Sequence, residues 1–107
     1  MTGNGGKAIG LVRRDVRAST DIHALAERHG FTLVFTVVLD TGPLVSALVI
    51  AQHVYEYSAA AIVVPTFAHA DRERHMITDL AALITPVRFY PRGFRWPAPE
   101  VENGLGS

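Results

Sequence analysis

Three short stretches of the chain concentrate side chains able to do chemistry. Arg13, Arg14, Asp15 and Arg17 follow one apolar run, Asp40 and Thr41 a second, and Thr66, His69, Asp71, Arg72 and Arg74 a third. Guanidinium groups gathered in this way suit a phosphate or carboxylate ligand, because their planar forks meet its oxygens two at a time. Within the set, Arg13, Asp15, His69 and Arg72 are the candidate ligand residues, with His69 a candidate acid or base. The same residues also read as solvated strand ends, where any fold places its charges.

Other chemistries find less support. Ser19 stands at a helix start, where capping accounts for it. No Ser-His-Asp order can be defended from one sequence. His23 and His29 lie six apart, as do His69 and His75, and His53 is isolated. None of these pairs has the i, i+4 spacing that puts two ligands on one helix face, so no metal site is expected. Gly3, Gly5 and Gly6 precede the first apolar run, whereas a dinucleotide loop follows its strand. With no Gly-Lys-Ser/Thr sequence either, no cofactor is expected.

The elements that must position these residues follow from pattern. Lys7 to Arg14 reads as a strand whose apolar core, Ala8 to Val12, runs directly into charges. Ser19, Thr20 and Asp21 mark a helix start, Ile22, Leu25 and Ala26 its apolar face, and Arg28-His29-Gly30 its end. Phe31 to Leu39 is a second strand, β-branched and aromatic with little alternation, so burial on both faces is expected. Pro43 opens a helix to about Tyr57, with Leu44, Ala47, Leu48, Ala51, Val54 and Tyr55 at helical spacing. Val45, Val49 and Ile50 lie outside the stripe of Leu44, Leu48, Ala51 and Tyr55. That helix therefore serves either a larger core or a partner, a second copy included.

Ala60 to Thr66 is a third strand closed by Pro65. Arg72 to Leu83 reads as a third helix, broken at Thr85-Pro86, and Val87 to Tyr90 as a short fourth strand. The order β-α-β-α-β-α-β predicts a single three-layer α/β domain over 7–96, with helices of roughly 12–15 residues on both faces of the sheet. Its sheet is expected to be mainly parallel, with four or five strands. Residues 1–6 read as a flexible N-terminus and 97–107 as a disordered tail. In such a fold the three charged stretches meet at the carboxyl ends of the strands, where ligands bind. They bring five Arg and three Asp to one rim.

Composition narrows the function. Ten basic side chains balance ten acidic ones in 107 residues, so tight sequence-independent DNA binding is disfavoured and DNA binding is expected to be weak at most. With 49% apolar residues a real core is expected. There is no cysteine, which excludes a disulfide-stapled domain and a thiolate nucleophile. No apolar run reaches the roughly 18–20 residues of a membrane span, and the N-terminus does not look like a signal peptide. A cytoplasmic, membrane-free protein is the default expectation.

Ala8-Ile9-Gly10-Leu11-Val12-Arg13-Arg14-Asp15 resembles the opening strand of the catalytic domain of serine recombinases, the resolvase and invertase family. Ile22 to Gly30 with Phe31 to Val34 is similar to the family's next segment, and Val63 to Arg72 to its later V-V-x-K-L-D-R-L-x-R motif. The resemblance runs in order through 7–96 and implies a resolvase-like fold. It keeps Arg13 and, in the later motif, Arg72. The departures bear on activity. Asp15 stands where the family has its nucleophilic serine, Ala68 and His69 replace an Asp and an Arg, and Gly42-Pro43-Leu44 lacks the Arg of the family's R-P-x-L. An alignment that uses Ser19 instead places it several residues beyond the strand end.

The family's reaction has a serine hydroxyl attack a DNA phosphodiester while arginines neutralise the developing charge. A carboxylate at ~4 Å from that phosphate would repel it by about 4 kcal/mol at an effective dielectric of ~20. The chain is also expected to lack the family's long dimerisation helix and helix-turn-helix domain. The resemblance therefore implies a catalytically inactive resolvase-like domain, an interaction or regulatory module linked to DNA recombination, with a homodimer or another protein as partner. The alternative is a small domain or enzyme that binds a phosphate or carboxylate ligand through Arg13, Asp15, His69 and Arg72.

Overall fold

A computed structural model describes residues 6–16, 20–40 and 42–97. The chain runs β1 (Gly6–Arg13), α1 (Ile22–Arg28), β2 (Phe31–Leu39), α2 (Pro43–Tyr57) and β3 (Ala61–Val63). Two 3-10 turns, Phe67–His69 and Asp71–Glu73, lead into α3 (Arg74–Leu80), followed by β4 (Ala82–Ile84) and β5 (Phe89–Tyr90). The five strands form one sheet in the order β2-β1-β3-β4-β5, parallel throughout except for β5 against β4.

Crossover handedness explains the layering. After β1 the chain steps outward to β2, then reverses across β1 to reach β3 and β4. Right-handed crossovers in opposite directions place their helices on opposite faces. Accordingly, Ile22, Leu25 and Ala26 of α1 pack with Ala8, Ala61, Val63 and Ile84 on one face. Ile50 and Val54 of α2 and Ile77 of α3 pack with Ile9, Leu11, Ile62 and Leu83 on the other. The α/β, mainly parallel, three-layer arrangement read from the sequence is the one observed.

Several local expectations hold. Asp21 caps α1, its Oδ1 accepting from the backbone N–H of His23 at 3.0 Å and of Ala24 at 3.1 Å. Gly30 follows α1 with φ +82°, a left-handed conformation that glycine adopts without strain. Gly10 lies beneath α1, and a Cβ there would come within 2.5 Å of Ile22 Cδ1.

Others need correction. The third helix ends at Leu80, and Ala82–Ile84 is a strand rather than its last turn. Leu83 belongs to one core face and Ala82 and Ile84 to the other, a period of two that no helix can supply. The last strand is a hairpin partner, because Thr85 reverses the chain. Its Oγ1 accepts from the N–H of Arg88 at 2.9 Å, and its own N–H donates to the Arg88 carbonyl at 2.9 Å. So short a connection permits only antiparallel pairing. Helices α1 and α3 have seven residues each, against fifteen in α2.

Strand β2 is an edge strand, not one buried on both faces. Val34, Phe35 and Val38 are exposed. The pairing with β1 shifts register between Ala8 and Ile9, leaving Val34 as an extra residue. The bulge switches the strand's parity: Phe31 and Leu33 pack on the α1 side, whereas Val37 and Leu39 pack on the α2 side. One run of apolar residues thus serves two faces in succession.

In α2 the buried stripe is Ser46, Ile50 and Val54. The stripe of Leu44, Leu48 and Tyr55 points outward: Leu44 is 74% exposed, Leu48 63% and Tyr55 88%. At the C-terminal end, residues 91–96 fold back over α3, where Trp96 Nε1 donates to Thr78 Oγ1 at 3.0 Å. Of the flexible start expected at 1–6, Gly6 belongs to β1 and 1–5 lie outside the described residues; of the tail expected at 97–107, residues 98–107 lie outside them. Among the described residues, no helix is long and apolar enough to cross a membrane.

Candidate functional site

The sheet changes direction of winding between β1 and β3, and ligand clefts in such folds open there, beyond the carboxyl ends of the strands. A cleft of about 270 Å³ occupies this place, lined by Arg13, Arg14, Asp15, Asp40 and Arg72. Three of the four candidate residues, Arg13, Asp15 and Arg72, therefore line one cleft.

His69 is the floor beneath it. The ring is fully buried, and its Nδ1 accepts the backbone N–H of Arg13 at 2.8 Å. An acceptor nitrogen carries no hydrogen, so the neutral ring has its proton on Nε2. The first 3-10 turn after β3 sets this contact, with His69 N–H bonded to the Thr66 carbonyl at 3.1 Å. His69 thus joins the end of β1 to the loop after β3, and its burial keeps it from meeting a ligand as acid or base.

Arg13 is also buried, at 3% exposure, although it ends a strand. Its Nη1 lies 3.5 Å from Glu73 Oε1 and its Nε 3.6 Å from Asp15 Oδ1. Glu73 is buried too, and its Oε2 has no hydrogen-bond partner among the described residues. The sequence reading overlooked Glu73, because a carboxylate inside Asp71-Arg72-Glu73-Arg74 looks like one more solvated charge. Its i+2 relation to Asp71 across a 3-10 turn was the one available signal, since the two then point different ways.

The other rim residues are largely committed to each other. Arg14 pairs with Asp40 at 3.4 Å, both exposed. Arg74 pairs with Asp71 at 2.8 Å and lies over the Trp96 ring, away from the cleft. Arg17 falls outside the described residues, as do Ser19 and Thr41. Around the cleft, Arg13, Arg14 and Arg72 face Asp15, Asp40 and Glu73, so cations and carboxylates are equal in number. The expected basic rim is electrically balanced at its centre. Arg72 is exposed and makes no ion pair among the described residues.

Among the described residues no cluster of His, Asp and Glu could hold a metal ion. Asp15 Oδ1 faces Arg13 at the mouth of the cleft, at the position where the resemblance would place a nucleophile. A carboxylate there stands beside the guanidinium that a phosphate would need. No family model, curated protein or solved structure matches the chain.

Proposed function

We propose that this chain is a non-catalytic interaction module of resolvase-like type, and that it self-associates through the outer face of α2. The outward stripe of that helix carries the reading. Leu44, Leu48, Ala51 and Tyr55 follow one another at spacings of four, three and four residues, the spacing of a seam between two packed helices. Leu44, Leu48 and Tyr55 are largely exposed, and Val45 beside them is 50% exposed. A stripe of this kind over about 16 Å of helix is more apolar surface than a lone helix normally leaves in water.

A second copy is the occupant that fits. From Pro43 to Tyr55 the helix has no Asp, Glu, Lys or Arg, so like faces like without charge repulsion. Across a two-fold axis perpendicular to them, the helices run antiparallel. A dyad between Leu48 and Ala51 sets Leu48 of one copy against Ala51 of the other, and Leu44 against Tyr55. Large then meets small at the centre, as close helix packing requires. One helix stripe covers less than the ~800 Å² per partner of a standard interface, which places the dimer in the weak, transient class.

The non-catalytic part rests on Asp15 and on the ion pairs of Arg13 with Asp15 and Glu73. A phosphate or carboxylate ligand is the weaker reading, because Asp15 and Asp40 in the lining and the buried Glu73 against Arg13 together offset the three arginines of the cleft. Sedimentation equilibrium over a micromolar to millimolar range tests the proposal. The parent chain should show a monomer–dimer equilibrium, and Leu48→Glu should be monomeric with an unchanged melting temperature. A parent that stays monomeric throughout, or a Leu48→Glu dimer of parental strength, would refute it. Nicking of supercoiled plasmid that disappears in Asp15→Ala would refute the non-catalytic part separately.

A further inference from the structure

Strand β2 closes one side of the sheet, and no strand of the described chain pairs beyond it. A sheet edge presents unpaired backbone groups, and proteins blunt it with charge, proline, short strands or bulges. The opposite edge follows that rule: β5 has two residues, with Arg88 before it and Pro91 after it. The β2 edge is guarded far less. Its nine residues, Phe31–Leu39, include no charged residue and no proline. Its bulge is confined to Val34, and from Phe35 to Leu39 the strand pairs regularly with Ile9–Arg13.

Two hydrogen bonds fix which backbone groups of this stretch face outward. The Leu39 carbonyl accepts from the Arg14 N–H at 2.8 Å, so Leu39 faces β1. The Arg13 N–H turns the other way, toward His69 Nδ1. Within a strand, the N–H and C=O of one residue point to one side, and successive residues alternate. Phe35, Val37 and Leu39 therefore face β1, whereas Thr36 and Val38 aim their N–H and C=O groups at the open side. Among the described residues, no hydrogen bond outside the sheet ladder takes up these four groups.

The side chains along the same edge are apolar on both faces of the sheet. Phe35 is 40% exposed and stacks on His53 and Tyr57 of α2, at 5.1 and 5.3 Å. Val37 and Leu39 are buried on that same side. By alternation Val38 lies on the α1 side, where it is 49% exposed. An occupant of the edge thus covers Phe35 on one face and Val38 on the other, and meets no charge between Phe31 and Leu39.

We propose that the Phe35–Leu39 edge of β2 receives an extended strand from a different protein, one whose side chains are uncharged and β-branched or aromatic on both faces. Thr36 and Val38 repeat an N–H beside a C=O at an interval of about 6.6 Å, two residues of a strand. That repeat is the complement of another extended backbone, the mode in which a peptide adds a strand to a sheet. A helix uses its backbone groups internally, and a polyanion brings acceptors without donors. A second copy fits less well. Antiparallel pairing about a dyad at Val37 sets Asp40 of each copy opposite the bulged Val34 of the other, which ends the ladder after five residues. The edge is separate from the cleft at the carboxyl ends of the strands and from the outer face of α2.

The probe is a capped peptide, Gly-Ser-Thr-Val-Thr-Val-Thr-Ser-Gly, titrated to about 1 mM into the isotope-labelled full chain and followed by NMR. In the free chain the amide hydrogens of Thr36 and Val38 should exchange faster than those of Val37 and Leu39. The peptide should slow the first two at least about threefold. Methylating both valine nitrogens of the peptide, or replacing its threonines by glutamates, should weaken binding at least about tenfold. Val38→Pro deletes an outward N–H and no ladder bond, so it should keep the circular dichroism and lose the peptide. Val37→Pro deletes a ladder bond and should be strongly destabilising. The proposal is overturned by slow exchange of Thr36 and Val38 in the free chain, by no response at 1 mM peptide, or by equal binding of the methylated or glutamate peptide. It is also overturned if Val38→Pro binds like the parent or is as destabilising as Val37→Pro. Sedimentation of Leu48→Glu separates the second copy: association that Val38→Pro abolishes would assign the edge to self-pairing instead.

Discussion

The buried pair between Arg13 and Glu73 makes a quantitative prediction about what Arg13 does. Arg13 is 3% exposed and Glu73 5%, so neither charge is solvated. At 3.5 Å their attraction is about 5 kcal/mol for an effective dielectric of ~20. Asp15 also touches Arg13, but its side chain is 70% exposed, so it contributes well under ~1 kcal/mol. Changing Glu73→Leu removes the buried carboxylate that faces the guanidinium in a dry setting. The expected cost is about 3–5 kcal/mol, the usual result of breaking one side of a buried pair. Arg13→Met should cost a similar amount by stranding Glu73. Combining the two removes both charges and keeps comparable volume, so the double variant should lie within ~2 kcal/mol of the parent. Urea unfolding followed by circular dichroism measures all four corners of the cycle, provided the m-value stays constant. A Glu73→Leu variant within ~0.5 kcal/mol of the parent would refute the reasoning, as would a double variant whose loss equals the sum of the singles. Either result would mean that Glu73 and Arg13 are not held as a coupled buried pair.

Two further predictions concern neighbouring contacts. His69→Phe keeps a ring of similar size but removes the acceptor for the Arg13 backbone N–H. It should cost about 1–3 kcal/mol in the same urea assay, the penalty of an unsatisfied buried donor, and no loss would show that the bond is dispensable. Gly10→Ala sets a Cβ 2.5 Å from Ile22 Cδ1 and 2.9 Å from Thr36 Oγ1 and should cost about 1–3 kcal/mol. Adding Ile22→Val, which deletes that Cδ1, should recover more than half of the loss by thermal melt. A double variant no better than Gly10→Ala would locate the clash at Thr36 instead.

The parts of the fold legible in the sequence are those decided by the chain's immediate neighbours. Asp21 caps α1 wherever that helix packs, and Pro65 cannot extend β3 into an interior ladder. The parts that were not legible depend on which element lies opposite. Ala81 to Ile84 is apolar throughout, so its periodicity is silent, and only its place between β3 and β5 makes it a strand. The apolar residues of β2 are visible in the sequence, but its position at the edge and the bulge at Val34 are not, and these two facts decide which of its side chains are covered.

The same distinction governs the charged residues. Arg13, Asp15 and Arg72 could be placed at one rim because strand ends are local features, and the structure brings them to one cleft. Whether that rim is basic depends on Glu73, which comes in from a 3-10 turn 60 residues away and cancels the most deeply buried guanidinium. Conversely, Arg88, Arg92 and Arg95 disappear into a neutral total, and they become a patch only because Thr78 folds the strap of residues 88–96 across α3. Formal charge summed over a chain therefore constrains its function less than the count of arginines that have no carboxylate within reach. Among the described residues Arg88, Arg92 and Arg95 on the strap are of that kind, and of the arginines that line the cleft only Arg72 is.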